Sequence, residues 1–180
     1  QKDILTLVYI ARSYHLDAVA NYWEQVILLN DHQKMRFAEH IIKTMYNTVN
    51  GKQITVLGWA FKKDTNDTRE SAAIYVADHL LAEEAQLVVY DPKVSAEQVY
   101  RDLDSLGSRT PADNRRLVRV EDDPYIATAN AYAVAILTEW DEFRSYDWER
   151  IKKQMKKPSF IFDGRKLLDK IALVNLGFHY

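Results

Sequence analysis

Cysteine is absent from all 180 residues, which excludes disulfides, thiolate metal sites and a thiol nucleophile supplied by this chain. Glycine and proline are sparse, five and four in number, and neither occurs before Gly51. The first fifty residues are therefore free of the usual helix breakers. No apolar run approaches the roughly 20 residues that a membrane-spanning helix needs. Gln1-Lys2-Asp3 does not open a secretory signal peptide, so cytosol is the expected compartment and no membrane partner is expected. An excess of charge of one sign is lacking too: the formal net charge is −2, which gives no pull toward nucleic acid or an anionic surface. Any anion site must be local. With 47% hydrophobic and 28% charged residues the chain reads as globular, and a domain of this size buries roughly 70% of its unfolded surface.

Two patterns divide the chain. Up to about residue 50 the apolar positions recur at helical spacing: Leu5, Val8 and Tyr9, then Val19, Tyr22, Trp23, Val26 and Ile27, then Phe37, Ile41 and Met45. Asp17 is placed to cap a second helix. Unbroken from 18 to 47 that helix would be about 45 Å long, more than a small domain requires, although Asn30-Asp31 could divide it. From Gln53 onward short apolar runs alternate with amphipathic segments, the signature of βαβ units and a parallel sheet. Strands are expected at 53–58, 86–91, 117–120, 132–138 and 159–163, with a further short one possible at 177–180. Helices are expected at 71–84, 96–103, 124–129 and 147–155, and a surface loop at 104–116. The fold class is thus α/β, a Rossmann-like three-layer parallel sheet over 51–180, preceded by a helical segment over 1–50.

The segment Gly58-Trp59-Ala60-Phe61-Lys62-Lys63-Asp64-Thr65-Asn66-Asp67-Thr68-Arg69-Glu70-Ser71 lies between the first expected strand and its helix. At the carboxyl end of a parallel strand such a turn is where ligands bind, and the helix it opens presents free N–H groups to an anion. Its acids offset its cations, so charge alone describes a solvated loop. Phe61 alone reads as well as a core aromatic, and Lys63 as a solvent-facing lysine. Asp163-Gly164-Arg165 ends another strand at the same edge. There Arg165 could face the same cleft or pair with Asp163 or Asp169. Asp91-Pro92 reads as a turn, because no G-x-G-x-x-G precedes it. Thr138-Glu139-Trp140-Asp141 reads as a corner with a packed Trp140. The histidines at 15, 32, 40, 79 and 179 lie singly, so no metal site is expected.

The string Phe61-Lys62-Lys63-Asp64-Thr65 continuing to Asp67-Thr68-Arg69-Glu70-Ser71 resembles the nucleotide-sugar dehydrogenases of the UDP-glucose/GDP-mannose dehydrogenase family, in its C-terminal portion and eukaryotic type. The likeness continues through Tyr90-Asp91-Pro92-Lys93, Thr138-Glu139-Trp140-Asp141 and Phe160-Ile161-Phe162-Asp163-Gly164-Arg165. It implies that Phe61, Lys62 and Arg165 bind a UDP-sugar and that Arg69 reaches the nicotinamide dinucleotide. Gln1-Lys2-Asp3 resembles the residues just after the family's catalytic cysteine. That likeness implies that Lys2 touches the cofactor and that Asp3 assists proton transfer or water activation. The reaction implied is oxidation of UDP-glucose to UDP-glucuronate with two NAD, through a thiohemiacetal and a thioester on a cysteine that this chain lacks. NAD would be held mainly by an N-terminal domain, and the long helix would make a homo-dimer or higher homo-oligomer. A UDP-N-acetylmannosamine or GDP-mannose dehydrogenase, and a non-catalytic nucleotide-binding dimerisation module, are the alternatives.

Overall fold

The stretch before Gly51, free of glycine and proline, forms two helices, α1 (Lys2–Ser13) and α2 (Asp17–Thr44). The computed structural model describes residues 2–180, with side chains from Asp3 onward. Over its 28 residues α2 spans about 42 Å without interruption. Asn30-Asp31 does not divide it, because the Asp31 carboxylate pairs within the helix with Lys34, 2.9 Å away. Asp17 is not the cap: Leu16 holds that place without a side-chain bond, and Asp17 stands in the first turn, where its charge meets the positive helix end. The later part of α2 enters the main core through Ala38 and Ile41, continued by Met45 and Val49. Its earlier part joins α1 in a separate cluster around Val8, Ala11 and Ala20. Tyr9, Tyr14, Tyr22, Leu28 and Leu29 are each more than half exposed along these two helices.

Five parallel strands follow: β1 (Gln53–Leu57), β2 (Gln86–Tyr90), β3 (Val118–Val120), β4 (Ala133–Ile136) and β5 (Phe160–Asp163). Their order across the sheet is β3-β2-β1-β4-β5. In β1, β2 and β4 four consecutive residues are buried. That is what a parallel strand covered on both faces requires, in place of polar alternation. Each such Val, Ile or Leu contributes about 1.5–3 kcal/mol by leaving water. Expected and observed strands agree within one or two residues, except that 177–180 supplies only a single bridge from Phe160 to His179.

The helices after β1 are α3 (Ala72–Ala82), α4 (Ala96–Leu106), α5 (Pro111–Leu117), α6 (Pro124–Thr128), α7 (Trp148–Gln154) and α8 (Lys170–Asn175). Helix α5 corrects the expected loop at 104–116. Thr110 caps it by accepting from the Asp113 N–H, and Pro111 occupies the first helical position, where a missing N–H costs nothing. The segment is too polar to show periodicity and is held by polar bonds instead. Buried Asn114 donates to Asp104 at 2.8 Å, and Arg109 pairs with Asp78.

From β1 the chain steps outward through β2 to β3, then crosses back to β4 and steps outward the other way to β5. The chain therefore changes direction between β1 and β4, and at such a switch point the loops leaving two neighbouring strands part and leave a crevice. The loops after β1, β4 and β5 all open at that edge.

Candidate functional site

Gly58 makes the first turn possible. It sits at φ +92°, and a Cβ built on it would lie 2.4 Å from the Thr138 Cβ, so only glycine lets β1 exit against the loop after β4. The Thr138 hydroxyl then donates to the Ala60 carbonyl at 2.6 Å, and the Phe61 N–H closes the loop on the Asp67 carbonyl at 3.0 Å. Trp59 is fully buried, its indole N–H donating to Asp102. Phe61, by contrast, is 37% exposed, which fits a ligand wall better than the core aromatic it could have been. Lys62 is exposed, its Nζ 5.3 Å from the Phe61 ring centroid.

Arg165 reaches this loop from the end of β5. Its Nε donates to the Leu137 carbonyl at 2.7 Å and its guanidinium approaches the Phe61 carbonyl at 3.5 Å. Its ion-pair partner is Glu139, at 3.3 Å. Neither Asp163 nor Asp169 fills that role: Asp163 accepts backbone N–H groups of Arg165, Leu167 and Leu168, and Asp169 caps α8. Phe61, Lys62 and Arg165 are thus brought to one rim. Beside Arg165 a cavity of about 650 Å³ opens toward α2, with Lys34, Arg36, His40 and Lys43 among its lining residues.

Other expectations divide. Lys63 is not a solvated bystander but pairs with Asp141 at 2.5 Å. The hydrogen bond between them, then their mutual charge, hold the Lys63 proton more tightly and keep Asp141 ionised below the usual carboxylate range. Both are exposed, so the pair adds little stability. The Arg69 guanidinium lies on Asp67 at 2.6 Å, and that hydrogen bond strengthens its hold on its proton. It does not contact Phe61, Lys62 or Arg165 among the described hydrogen bonds and ion pairs. Asp3 is exposed in the first turn of α1, with no described bond to that rim. The Lys2 side chain lies outside the described residues.

Trp140 is packed, as expected of the corner. Sequence reasoning missed what holds it. The carboxylate of Asp91, at the end of β2, is buried and accepts five hydrogen bonds. One oxygen takes the Trp59 N–H at 2.6 Å, the Ala60 N–H at 3.0 Å and the Trp140 indole N–H at 3.1 Å. The other takes the Lys93 and Val94 N–H groups of the expected turn. An acid at this place in dinucleotide-binding sheets would bind a ribose hydroxyl, but here its lone pairs are occupied by the chain itself. With Gly58 as the first glycine of such a fingerprint, Ala60 and Lys63 stand where its second and third glycines would be. The residues of this sheet do not fit NAD at that position. Among the described residues no group of three or more His, Asp or Glu could hold a metal.

Residues 55–170 match the UDP binding domain of the UDP-glucose/GDP-mannose dehydrogenase family. The UDP-glucose 6-dehydrogenase of Bos taurus is 51% identical over 180 residues, covering 99% of this chain and 36% of its own length. That of Drosophila melanogaster is 49% identical, with 99% and 38% covered. The chain thus spans little more than a third of these relatives. Its fold is that of the UDP-glucose dehydrogenase of Pyrobaculum islandicum, with a TM-score of 0.65 at 24% identity, covering 95% of this chain and 36% of that one.

Proposed function

Because this chain belongs to the UDP-glucose/GDP-mannose dehydrogenase family, we propose that it is the UDP-sugar-binding part of an NAD-dependent UDP-glucose 6-dehydrogenase. The observation that carries this is the meeting of Phe61, Lys62 and Arg165 at the sheet's switch point, with Arg165 reaching the Phe61 carbonyl. Lys62 supplies a compact charge for a pyrophosphate, Arg165 a forked donor beside it, and Phe61 an apolar wall. Arg69 and Lys2 serve the cofactor, and Asp3 the proton transfer, in the longer protein. UDP-glucose is favoured over UDP-N-acetylmannosamine and GDP-mannose because the relatives at about half identity are UDP-glucose 6-dehydrogenases. NAD binds mainly outside this chain, since its sheet offers no dinucleotide site. The 180 residues alone are expected to bind UDP in calorimetry and to form no NADH from UDP-glucose. Absence of UDP binding would sink the site, and NADH formation would sink the assignment of the chemistry to other residues.

Domain organisation and assembly follow the same reading: 1–50 is a linking and dimerising segment, and 51–180 the UDP-binding domain. The exposed Val19, Tyr22, Val26 and Leu29 on α2 share one helix face by their spacing, an apolar stripe of the kind that marks an interaction surface. A homo-dimer or higher homo-oligomer through α2 covers it. Sedimentation should show association that rises with concentration, and a monomer throughout would contradict it. No described helix is long and apolar enough to cross a membrane, and cytoplasm is the proposed compartment.

A further inference from the structure

We infer that Asp91 is a positioning residue that holds the two walls of the UDP site in register, an inference that rests on the site proposed above. The walls come from different strands. Phe61 and Lys62 follow β1, and Arg165, which follows β5, is bound to the Leu137 carbonyl and to Glu139 of the corner that follows β4. Asp91 ends β2, on the far side of β1 from β4, yet one of its oxygens holds both walls, through the Trp59 and Ala60 N–H groups and the Trp140 indole. The bound Trp59-Ala60 pair leads directly into Phe61-Lys62. The bound Trp140 is next to Glu139, the ion-pair partner of Arg165.

The β1–α3 loop needs such a clamp. Asp64 and Glu70 both lie at positive φ, 65° and 60°, a conformation that side-chain-bearing residues adopt only when their surroundings impose it. Apart from the turn's own bonds, the Trp59 indole on Asp102, Gln98 on Thr68, the Thr138 hydroxyl on Ala60, Arg165 on Phe61 and the Lys63–Asp141 pair also hold this loop from outside. Of these anchors Asp91 alone is a buried charge accepting several donors. Hydrogen bonds to a charged acceptor are roughly twice as strong as neutral ones. Its chemistry is also specific: five N–H groups converge on it, so the acceptor must offer lone pairs on both oxygens and no hydrogen. Asparagine keeps the shape but places an NH2 against some of those donors.

The test is Asp91→Asn in this chain, read by amide hydrogen exchange and by UDP calorimetry. Exchange should rise about tenfold or more together at 61–68 and 138–141, while the β4 and β5 amides keep their protection. UDP affinity should fall about tenfold, and Asp91→Asn should cost less in a Lys62→Ala background, where only the Arg165 side of the site is left to be misplaced. Thr55→Val is the control: it removes a buried bond to the Ala127 carbonyl far from the loop and should leave exchange at 61–68 unchanged. If Asp91→Asn unfolds the chain, Trp140→Phe removes a single donor and should still loosen both segments. Exchange that rises only at 59–60 and 93–94, or equal affinity losses with and without Lys62, would overturn the inference. Failure of the wild-type chain to bind UDP would defeat the site proposal, and the exchange pattern would still decide whether Asp91 couples the two walls.

Discussion

Gly58→Ala is expected to lower stability by about 3–5 kcal/mol, near the largest effect that a single substitution produces. Two costs combine. The residue stands at φ +92°, where a side chain is strained, and its new methyl would meet the Thr138 Cβ at 2.4 Å, the hydroxyl at 2.6 Å and the backbone N at 2.7 Å. The hydroxyl can turn away, but the Cβ and the backbone N are fixed to the loop after β4. Relief therefore requires β1 and β4 to part. In a chain of this size the melting temperature should drop by about 10 °C or more. Gly51→Ala and Gly107→Ala provide the comparison, for both lie at positive φ, 66° and 68°, with nothing within 4 Å of the added carbon. Each should cost only the backbone strain, about 1 kcal/mol. If all three variants melt together, the close approach of the two loops is wrong and with it the narrow shape of the crevice.

The difference between these glycines marks what the sequence could and could not tell. Gly58 was recognisable as the end of a buried run and the start of a strand-to-helix turn, because the preceding Ile54, Val56 and Leu57 are apolar and Thr55 is β-branched. That it touches Thr138, eighty residues on, depends on β1 lying beside β4, and the strand order is not written in periodicity. The same limit explains Arg165. Its place at the end of β5 followed from Phe160 to Phe162, but its partner Glu139 comes from another strand, and the nearer Asp163 and Asp169 are drawn to backbone N–H groups. Asp91 read correctly as a turn from Asp-Pro, a local signal that accounts for two of its five bonds. The other three join it to Trp59, Ala60 and Trp140, and only folding brings those together. Helix α5 was hidden for a different reason. Its sequence Pro111-Ala112-Asp113-Asn114-Arg115-Arg116-Leu117 buries only Asn114 and Leu117, too few positions to show a period. The cap Thr110 followed by Pro111 was the available signal.

Lys62→Ala and Arg165→Ala should both weaken UDP binding, by about tenfold and by about ten- to a hundredfold, yet they should differ in what else they change. Lys62 is exposed and its described contact is the Phe61 ring. Removing it should leave the melting temperature within about 1 °C of the parent, since exposed charges contribute little to stability. Its share of the affinity should also shrink as salt is raised, because an exposed cation is screened. Arg165 has structural work as well: it satisfies the Leu137 carbonyl, approaches the Phe61 carbonyl and neutralises Glu139. Its loss leaves Glu139, whose buried Oε2 accepts no hydrogen bond even with Arg165 present, without its ion-pair partner, and takes the Arg165 donor from the Leu137 carbonyl, at a cost of about 1–3 kcal/mol. Arg165→Lys discriminates between charge and geometry. A lysine keeps the charge near Glu139 but cannot reach Leu137 and Phe61 with two arms of one planar group. If geometry matters, Arg165→Lys should bind UDP nearly as poorly as Arg165→Ala, whereas simple charge attraction predicts recovery to within about threefold of wild type. Calorimetry and thermal melts of the three variants separate these outcomes, and wild-type UDP affinity in Arg165→Ala would remove Arg165 from the site. The loss in that variant combines a missing ligand contact with a loosened Phe61 wall, so its effect should exceed that of Lys62→Ala even though Lys62 is the more exposed charge.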